Sequence, residues 1–219
     1  MTNRSARAIT RTLSLVAGAA TALLGLAVVP TPASAGTTST ENIAAERAVL
    51  AKVLDAPDGD AAYAALPATE KALLARAVTH QQATTLVSRG GKLSPERAAA
   101  LGGAAASAAA AAGGCWWHYQ YDSWSDLGYT EGFTWMQLNW CSNGSSITSW
   151  SRSKTGGQGQ DFFVWKGIVG SWPQNVGWEI RDAVEFGFTL PGGVSFQPCM
   201  QIRGGRTGLY STQRTCNLN

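Results

Sequence analysis

The chain has 219 residues, of which 45% are hydrophobic and 14% charged, with nine tryptophans and four cysteines; its formal charge of +3 equals the contribution of Arg4, Arg7 and Arg11. Beyond those arginines, seven basic residues balance seven acidic ones over residues 36–112, and seven balance seven again over residues 115–219. A neutral chain without clustered Lys and Arg excludes a phosphate-tracking face, so no nucleic-acid partner is expected.

The first 35 residues read as an export signal. Arg4, Arg7 and Arg11 form a basic start, an apolar run over residues 13–29 follows, and Pro30 and Pro32 close it. Ala33-Ser34-Ala35 places small residues where a signal peptidase reads, so cleavage is expected before Gly36. The run is shorter and richer in Ala and Gly than the ~20 apolar residues of a membrane span. With no second such run, the mature chain is expected to be secreted without a membrane anchor.

Residues 36–101 are rich in Ala, Leu, Glu, Lys and Arg, which favour helices. Ile43, Leu50, Val53 and Leu54 recur at helical spacing until Pro57-Asp58-Gly59-Asp60 interrupts them. These acidic positions lack the alternating ligands and distal Glu of a calcium loop and read as a turn. A second helix is expected over residues 69–86, ended by Gly90-Gly91. Ser94-Pro95-Glu96 then supplies an N-cap, a first-turn proline and a first-turn acid for a short helix toward Leu101. Residues 102–114 are Ala and Gly with one Ser, offering no large side chain to bury, and read as a linker or loosely helical tether. The helical segment is thus expected to be a spacer or pro-segment.

After Cys115 the apolar period changes to two. Phe133 to Cys141 is strand-like, and Asn143-Gly144 suits a two-residue hairpin that would set Trp140 opposite Ile147 and turn Trp150 outward. Residues 161–172 give another strand. Over residues 176–190, Val176, Trp178, Ile180, Val184, Phe186, Phe188 and Leu190 fall on one face, with Asp182 the polar exception. Pro191-Gly192-Gly193 turns the chain into a partner strand, and Gly204-Gly205 opens the last one. The expected fold class is α+β by segregation: a helical N-terminal segment followed by an all-β, antiparallel, sandwich-like domain over residues 115–219. That domain is expected to fold without the helical segment.

Cys115, Cys141, Cys199 and Cys216 all lie in the β domain, and an even count in an exported chain reads as two disulfides rather than a metal site. Three pairings are possible. Cys115–Cys141 with Cys199–Cys216 is preferred because each bridge staples an end of the domain to a neighbouring strand, while crossed pairings stay open.

Motifs for chemistry are scarce. His80 and His118 are the only histidines, which starves Ser-His-Asp or Cys-His schemes. Gly193-Val194-Ser195-Phe196-Gln197 lacks the final glycine of a nucleophile elbow and lies between strands. Two carboxylates among Asp122, Asp126, Glu131, Asp161, Glu179, Asp182 and Glu185 could hydrolyse a glycoside. Asp182, placed on the apolar face, needs a partner, for which Arg203, Arg206 or Arg214 qualify. Asn143-Gly144-Ser145 matches a glycosylation sequon, but the turn accounts for it.

No tryptophan precedes Cys115, and exposed indoles stack on sugar rings or anchor interfaces. Trp135 or Trp140, Trp165 and Trp178 are assigned to the core; Trp116, Trp117, Trp124, Trp150 and Trp172 are the candidate binding residues. The reading is a secreted, non-catalytic β protein that binds a partner or surface, without cofactor or metal. A carbohydrate or cell-wall module, a small glycoside hydrolase with paired carboxylates, and a secreted inhibitor or antibacterial protein are the alternatives, with polysaccharide, cell wall or a protein surface as partner.

The segment Trp135…Trp140-Cys141-Ser142-Asn143-Gly144…Ile147, together with the Arg- and Ala-rich signal, resembles exported β-rich proteins of actinobacteria. The resemblance covers the last 105 residues or so. It implies secretion and a disulfide-bonded sandwich, and carries over no catalytic residue.

Overall fold

The computed structural model describes residues 40–219, so the expected signal peptide and its cleavage site lie outside them. The chain opens with α1 (Thr40–Leu54), which buries Val49, Leu50, Val53 and Leu54. Asp58 then stands in extended conformation and caps α2 (Gly59–Ala65), its carboxylate accepting from the Ala61 amide at 2.9 Å. The capping role confirms the turn read at Pro57-Asp58. Helix α3 (Ala68–Ala77) follows Pro67.

The expected helix over residues 69–86 stops at Ala77, and the chain instead forms a strand, β1 (Gln82–Lys92). Thr84, Thr85 and Val87 are β-branched and suit it. Its residues are mostly exposed, which is why no apolar period announces it. Helix α4 (Pro95–Ala112) begins after Ser94, whose Oγ lies 3.5 Å from the Arg97 amide. Gly102 and Gly103 break its helical path, with φ +61° at Gly103, and it resumes to Ala112 through the stretch read as a linker.

Eight more strands follow: β2 (Gly114–Asp126), β3 (Tyr129–Ser142), β4 (Ile147–Gly159), β5 (Val164–Asn175), β6 (Glu179–Thr189), β7 (Ser195–Phe196), β8 (Cys199–Gly205) and β9 (Gly208–Gln213). They form two antiparallel sheets. The first has the order β1-β2-β3-β4; the second has β5-β6-β8-β9, with β7 also on β6. Among the described residues the protein is therefore mostly β, with helices leading into the sheets and one strand arising between them. No helix there is long and apolar enough to cross a membrane.

The β3–β4 turn corrects the expected register. Asn143 does not occupy the centre of a two-residue turn; its Oδ1 accepts from the amides of Ser145 and Ser146 at 3.0 and 2.9 Å, closing a four-residue loop with Gly144 at φ +90°. Ser142 thus pairs with Ile147 and Trp140 with Trp150. The shift is three residues between Ser149 and Ser153, so the side chains there, Trp150 and Arg152 among them, change face relative to the expectation.

Both sheets and the helices share one apolar core. Met136, Leu138 and Trp140 of β3 meet Ile180, Val184, Phe186 and Phe188 of β6 and Met200 and Ile202 of β8, while Leu50, Val53 and Leu54 of α1 and Leu74 of α3 belong to the same cluster. Asp60 of α2 accepts from the Gly192 amide at 2.8 Å, tying the helices to the loop after β6. Two buried carboxylates are held by arginines from elsewhere in the fold. Asp182 of β6 meets Arg152 of β4, not one of the arginines expected, because the slip turns Arg152 inward. Asp122 of β2 accepts from Arg214 at 3.2 Å, from Thr85 at 2.8 Å and from Gln120.

The disulfides are Cys115–Cys141 and Cys199–Cys216, the pairing preferred from the sequence. Cys115 and Cys141 face each other in the β2–β3 register with Cα atoms 4.0 Å apart. By constraining the unfolded chain, loops of 26 and 17 residues stabilise by roughly 3 kcal/mol each.

Candidate functional site

Alternation along β2 sends Trp116, His118, Gln120, Asp122 and Trp124 inward, where all are buried, and turns Trp117, Tyr119 and Tyr121 outward, half-buried. On β3, Phe133, Trp135, Gln137 and Asn139 share that outer face. The register sets Trp117 opposite Asn139, Tyr119 opposite Gln137 and Tyr121 opposite Trp135. Five aromatic rings therefore stand on the outside of the first sheet. Tyr121 stacks on Phe133 with centroids 5.6 Å apart and tilts against Trp135 at 6.0 Å.

Glycines on the two edge strands decide how the indoles lie. Gly156 of β4 pairs with Trp135, and a Cβ placed there would sit 2.9–3.2 Å from three atoms of the indole. On the opposite edge Gly91 of β1 pairs with Trp117, and a Cβ there would sit 3.6 Å from the indole Nε1. The Trp135 indole thus packs closely over Gly156, while the Trp117 indole reaches Gly91 at its Nε1 edge.

That groove has a volume of about 600 Å³ and is lined by Arg89, Trp117, Tyr119, Trp135, Gln137 and Lys154. Its size falls within the ~300–1,000 Å³ typical of small-ligand sites. A second concavity of about 270 Å³ shares Gln137 and Lys154 and runs to α4 past Asn139, Ser151, Leu93 and Arg97. Helix α4 forms the far wall, fixed by Leu93, Ala98 and Leu101 packing on the Cys115–Cys141 bridge.

Lys154 reaches the groove through a bulge. Trp135 pairs with Gly156 but Gln137 pairs with Ser153, so β4 carries one extra residue there, and Lys154 takes φ +48°. Such bulges re-aim side chains, and a non-glycine residue in the left-handed region is strained by about 1 kcal/mol or more. The floor is polar. Gln137 Nε2 donates to Asn139 Oδ1 at 2.7 Å, and Asn139 Nδ2 donates to Ser153 Oγ at 3.1 Å. Burial, and secondarily Tyr121, raise the Tyr119 pKa against the opposing charge of Arg89, so its phenol stays a hydroxyl donor. Among the described residues, three cations line the two concavities and no carboxylate does.

The five tryptophans expected at a binding surface are dispersed. Trp117 lines the groove. Trp116 stacks with Trp140 in the core at 6.3 Å, and Trp124 is buried with its Nε1 donating to Thr134 at 2.8 Å. Trp150 packs against the core because of the register slip. Trp172 is 41% exposed on the second sheet, away from the groove residues. Trp178, assigned to the core, is equally exposed, because β6 begins only at Glu179. Trp165 and Trp140 do pack in the core as expected. Trp135 is the groove residue the sequence reading missed; its odd parity relative to the buried Trp140 was the available signal.

Of the seven candidate carboxylates, Asp122, Asp126, Glu131, Glu179 and Asp182 are buried, Glu185 is half-buried and Asp161 is exposed in the turn before β5. Asp126 and Glu131 are at most 1% exposed, and neither carboxylate has a hydrogen-bond partner of ordinary geometry. Burial drives the Asp126 pKa up to about 6, with Glu46 adding to the rise and His80 and the Leu127 amide opposing it. Burial, then Asp126, drives that of Glu131 up to about 9. Nearby Glu46 is bound by Arg76 at 2.9 Å and His80 at 2.8 Å. Asp182, Asp122 and Glu179 are held in buried ion pairs. His118 is buried, its pKa lowered by burial, with Ser88 Oγ 3.3 Å from Nε2. Among the described residues, Glu185, Cys199 and Cys216 are close enough to hold a metal ion, but both sulfurs are spent in a disulfide.

The chain matches no family model, and comparison with curated proteins and with solved structures finds no similar chain.

Proposed function

We propose that this protein is secreted and is a non-catalytic binding protein of β-sandwich architecture, whose recognition surface is the outer face of the first sheet and whose ligand is a carbohydrate chain of a polysaccharide or cell wall. The observation that carries the reading is the groove of about 600 Å³ lined by Trp117, Tyr119 and Trp135, with the Trp135 indole packed over Gly156. Flat, immobilised indoles offer large apolar area at low entropic cost, and the amides and hydroxyls of Gln137, Asn139 and Tyr119 supply directional hydrogen bonds beside them.

The sandwich description rests on two antiparallel sheets sharing one core, with β4 handing the chain from the first to the second. Export is supported by the signal-like residues 1–35, by two disulfides and by the resemblance to exported actinobacterial proteins. The helical segment is read as a retained part of the binding protein, since β1 supplies Gly91 and Arg89 to the groove. Sedimentation of the purified chain from residue 36 onward with insoluble polysaccharides and cell-wall preparations tests the ligand class: co-sedimentation abolished by substituting Trp117 and Trp135 supports it, and absence from every pellet removes it. N-terminal sequencing of protein from culture medium tests export, with Gly36 as the expected first residue.

A further inference from the structure

We infer that the groove selects an acidic polysaccharide, one whose sugar rings carry carboxylates, over a neutral one; this rests on the carbohydrate reading of the same face. The chain is neutral beyond its first 35 residues, yet the charges around the groove are all of one sign. Arg89 stands on β1 at the Trp117 end, Lys154 on the β4 bulge at the Trp135 end, and Arg97 on α4 along the second concavity. All three are exposed, and among the described residues no carboxylate lines either concavity.

The cations also come from three different elements, so no single helix or strand pattern accounts for their convergence. Arg89 lies opposite Tyr119 in the register, which aims it to the aromatic face. Lys154 reaches the face only because β4 carries strained, left-handed backbone at that residue. A neutral glycan would need the indoles and amides alone. An acidic one uses those and adds charge-assisted hydrogen bonds to Arg89 and Lys154 at the two ends of the groove.

A nucleic-acid strand would also combine flat rings with negative charge, but its affinity depends on many phosphate contacts along an extended basic track. Three cations on a neutral protein fall short of that. Acidic sugars, with one carboxylate per ring, need only such isolated cations beside aromatic rings.

The test compares polygalacturonate with the same polymer after its carboxyls are reduced to hydroxymethyl groups, and adds poly(dT), using the purified chain from residue 36 onward. The account expects polygalacturonate to bind at least ten times more tightly than the reduced polymer, and its binding to weaken at least threefold on raising salt from 50 to 500 mM, on the order of what screening of surface charges gives. R89Q/K154Q should bring binding of polygalacturonate down to the level of the reduced polymer. W117A/W135A should abolish both. Equal binding of the two polymers, or an unaffected R89Q/K154Q, overturns the acidic selectivity and leaves the carbohydrate reading intact. Failure to bind either polymer overturns both, and tighter binding of poly(dT) than of polygalacturonate assigns the groove to nucleic acid instead.

Discussion

Trp135 lies across Gly156, the residue paired with it on the neighbouring strand, so closely that an added Cβ would meet its ring at 2.9 Å. Gly156 does not have positive φ, so the backbone there accepts alanine. Gly156→Ala is therefore expected to push the indole off the sheet without unfolding it. Affinity for the ligand should fall roughly three- to tenfold, about the 0.5–1.5 kcal/mol of one aromatic contact, with the melting temperature little changed. Titration calorimetry alongside thermal melting checks the pair of outcomes.

The Arg152–Asp182 pair joins β4 of one sheet to β6 of the other, with Asp182 wholly buried. Arg152→Ala leaves that carboxylate uncompensated and is expected to cost about 3–5 kcal/mol. Replacing both, as R152M/D182L, should recover most of the loss, because an apolar pair avoids the buried charge. Urea unfolding of the two variants separates the cases; a double variant as unstable as R152A would show that the pair sets the packing of the sheets as well as neutralising a charge.

Stability should decline as pH rises through neutrality. Glu131 titrates near 4.5 when unfolded and at about 9 in the fold, so between those values the native state holds one proton more than the unfolded chain. Each pH unit in that window then costs about 1.4 kcal/mol. Asp126 adds the same tendency between 3.8 and about 6. Glu46 and Glu179 act oppositely: burial resists their ionisation, but bonds from Arg76 and His80, and from Arg203 and Arg181, outweigh it and lower both pKa values. Their contribution is present above 4.5 and lost as pH falls through the lowered values. Maximum stability is thus expected in the ordinary carboxylate range, about pH 4–5. Glu131→Gln should match the wild type below that range and exceed it by roughly 3 kcal/mol at pH 7. Denaturation at pH 4, 6 and 8 reads both slopes, and an E131Q no more stable at pH 8 than the wild type contradicts the assignment.

A fragment of residues 115–219 lacks β1, which pairs along β2 from Gln82↔Ser125 to Lys92↔Trp116, and lacks the α1 and α3 side chains that complete the core. It is expected not to melt cooperatively, in contrast to what composition alone suggests. Adding residues 40–114 as part of the same chain should restore a single transition. Circular dichroism of the two lengths decides, and a cooperative melt of the shorter one would make the helical segment dispensable.

The long strands and the disulfide pairing were legible because a period of two and cysteines at the ends of neighbouring strands are strong local signals. Strand β1 was not, since an edge strand with both faces largely exposed has no apolar period to read. One misread turn at Asn143 hid more. By reversing the parity of the middle of β4 it placed Trp150 outside and concealed Arg152 as the partner of Asp182, and by a shift of four residues it hid the pairing of Gly156 with Trp135. The groove itself depends on β1 and on the bulge at Lys154, so it could be built only from tertiary register. The abundance of tryptophan pointed to aromatic surface, but which rings stand outside required knowing which faces the sheets cover.

The measurement that bears most directly on the outer face of the first sheet as the binding surface compares two double variants against one polysaccharide panel. W117A/W135A removes the two indoles of the groove, whereas W172A/W178A removes the two most exposed tryptophans elsewhere. With each shown by melting to be folded, affinity electrophoresis through gels containing the polysaccharides should find W172A/W178A retarded like the wild type and W117A/W135A retarded at least tenfold less. Retardation lost in W172A/W178A and kept in W117A/W135A would move the binding surface to the second sheet and contradict the account.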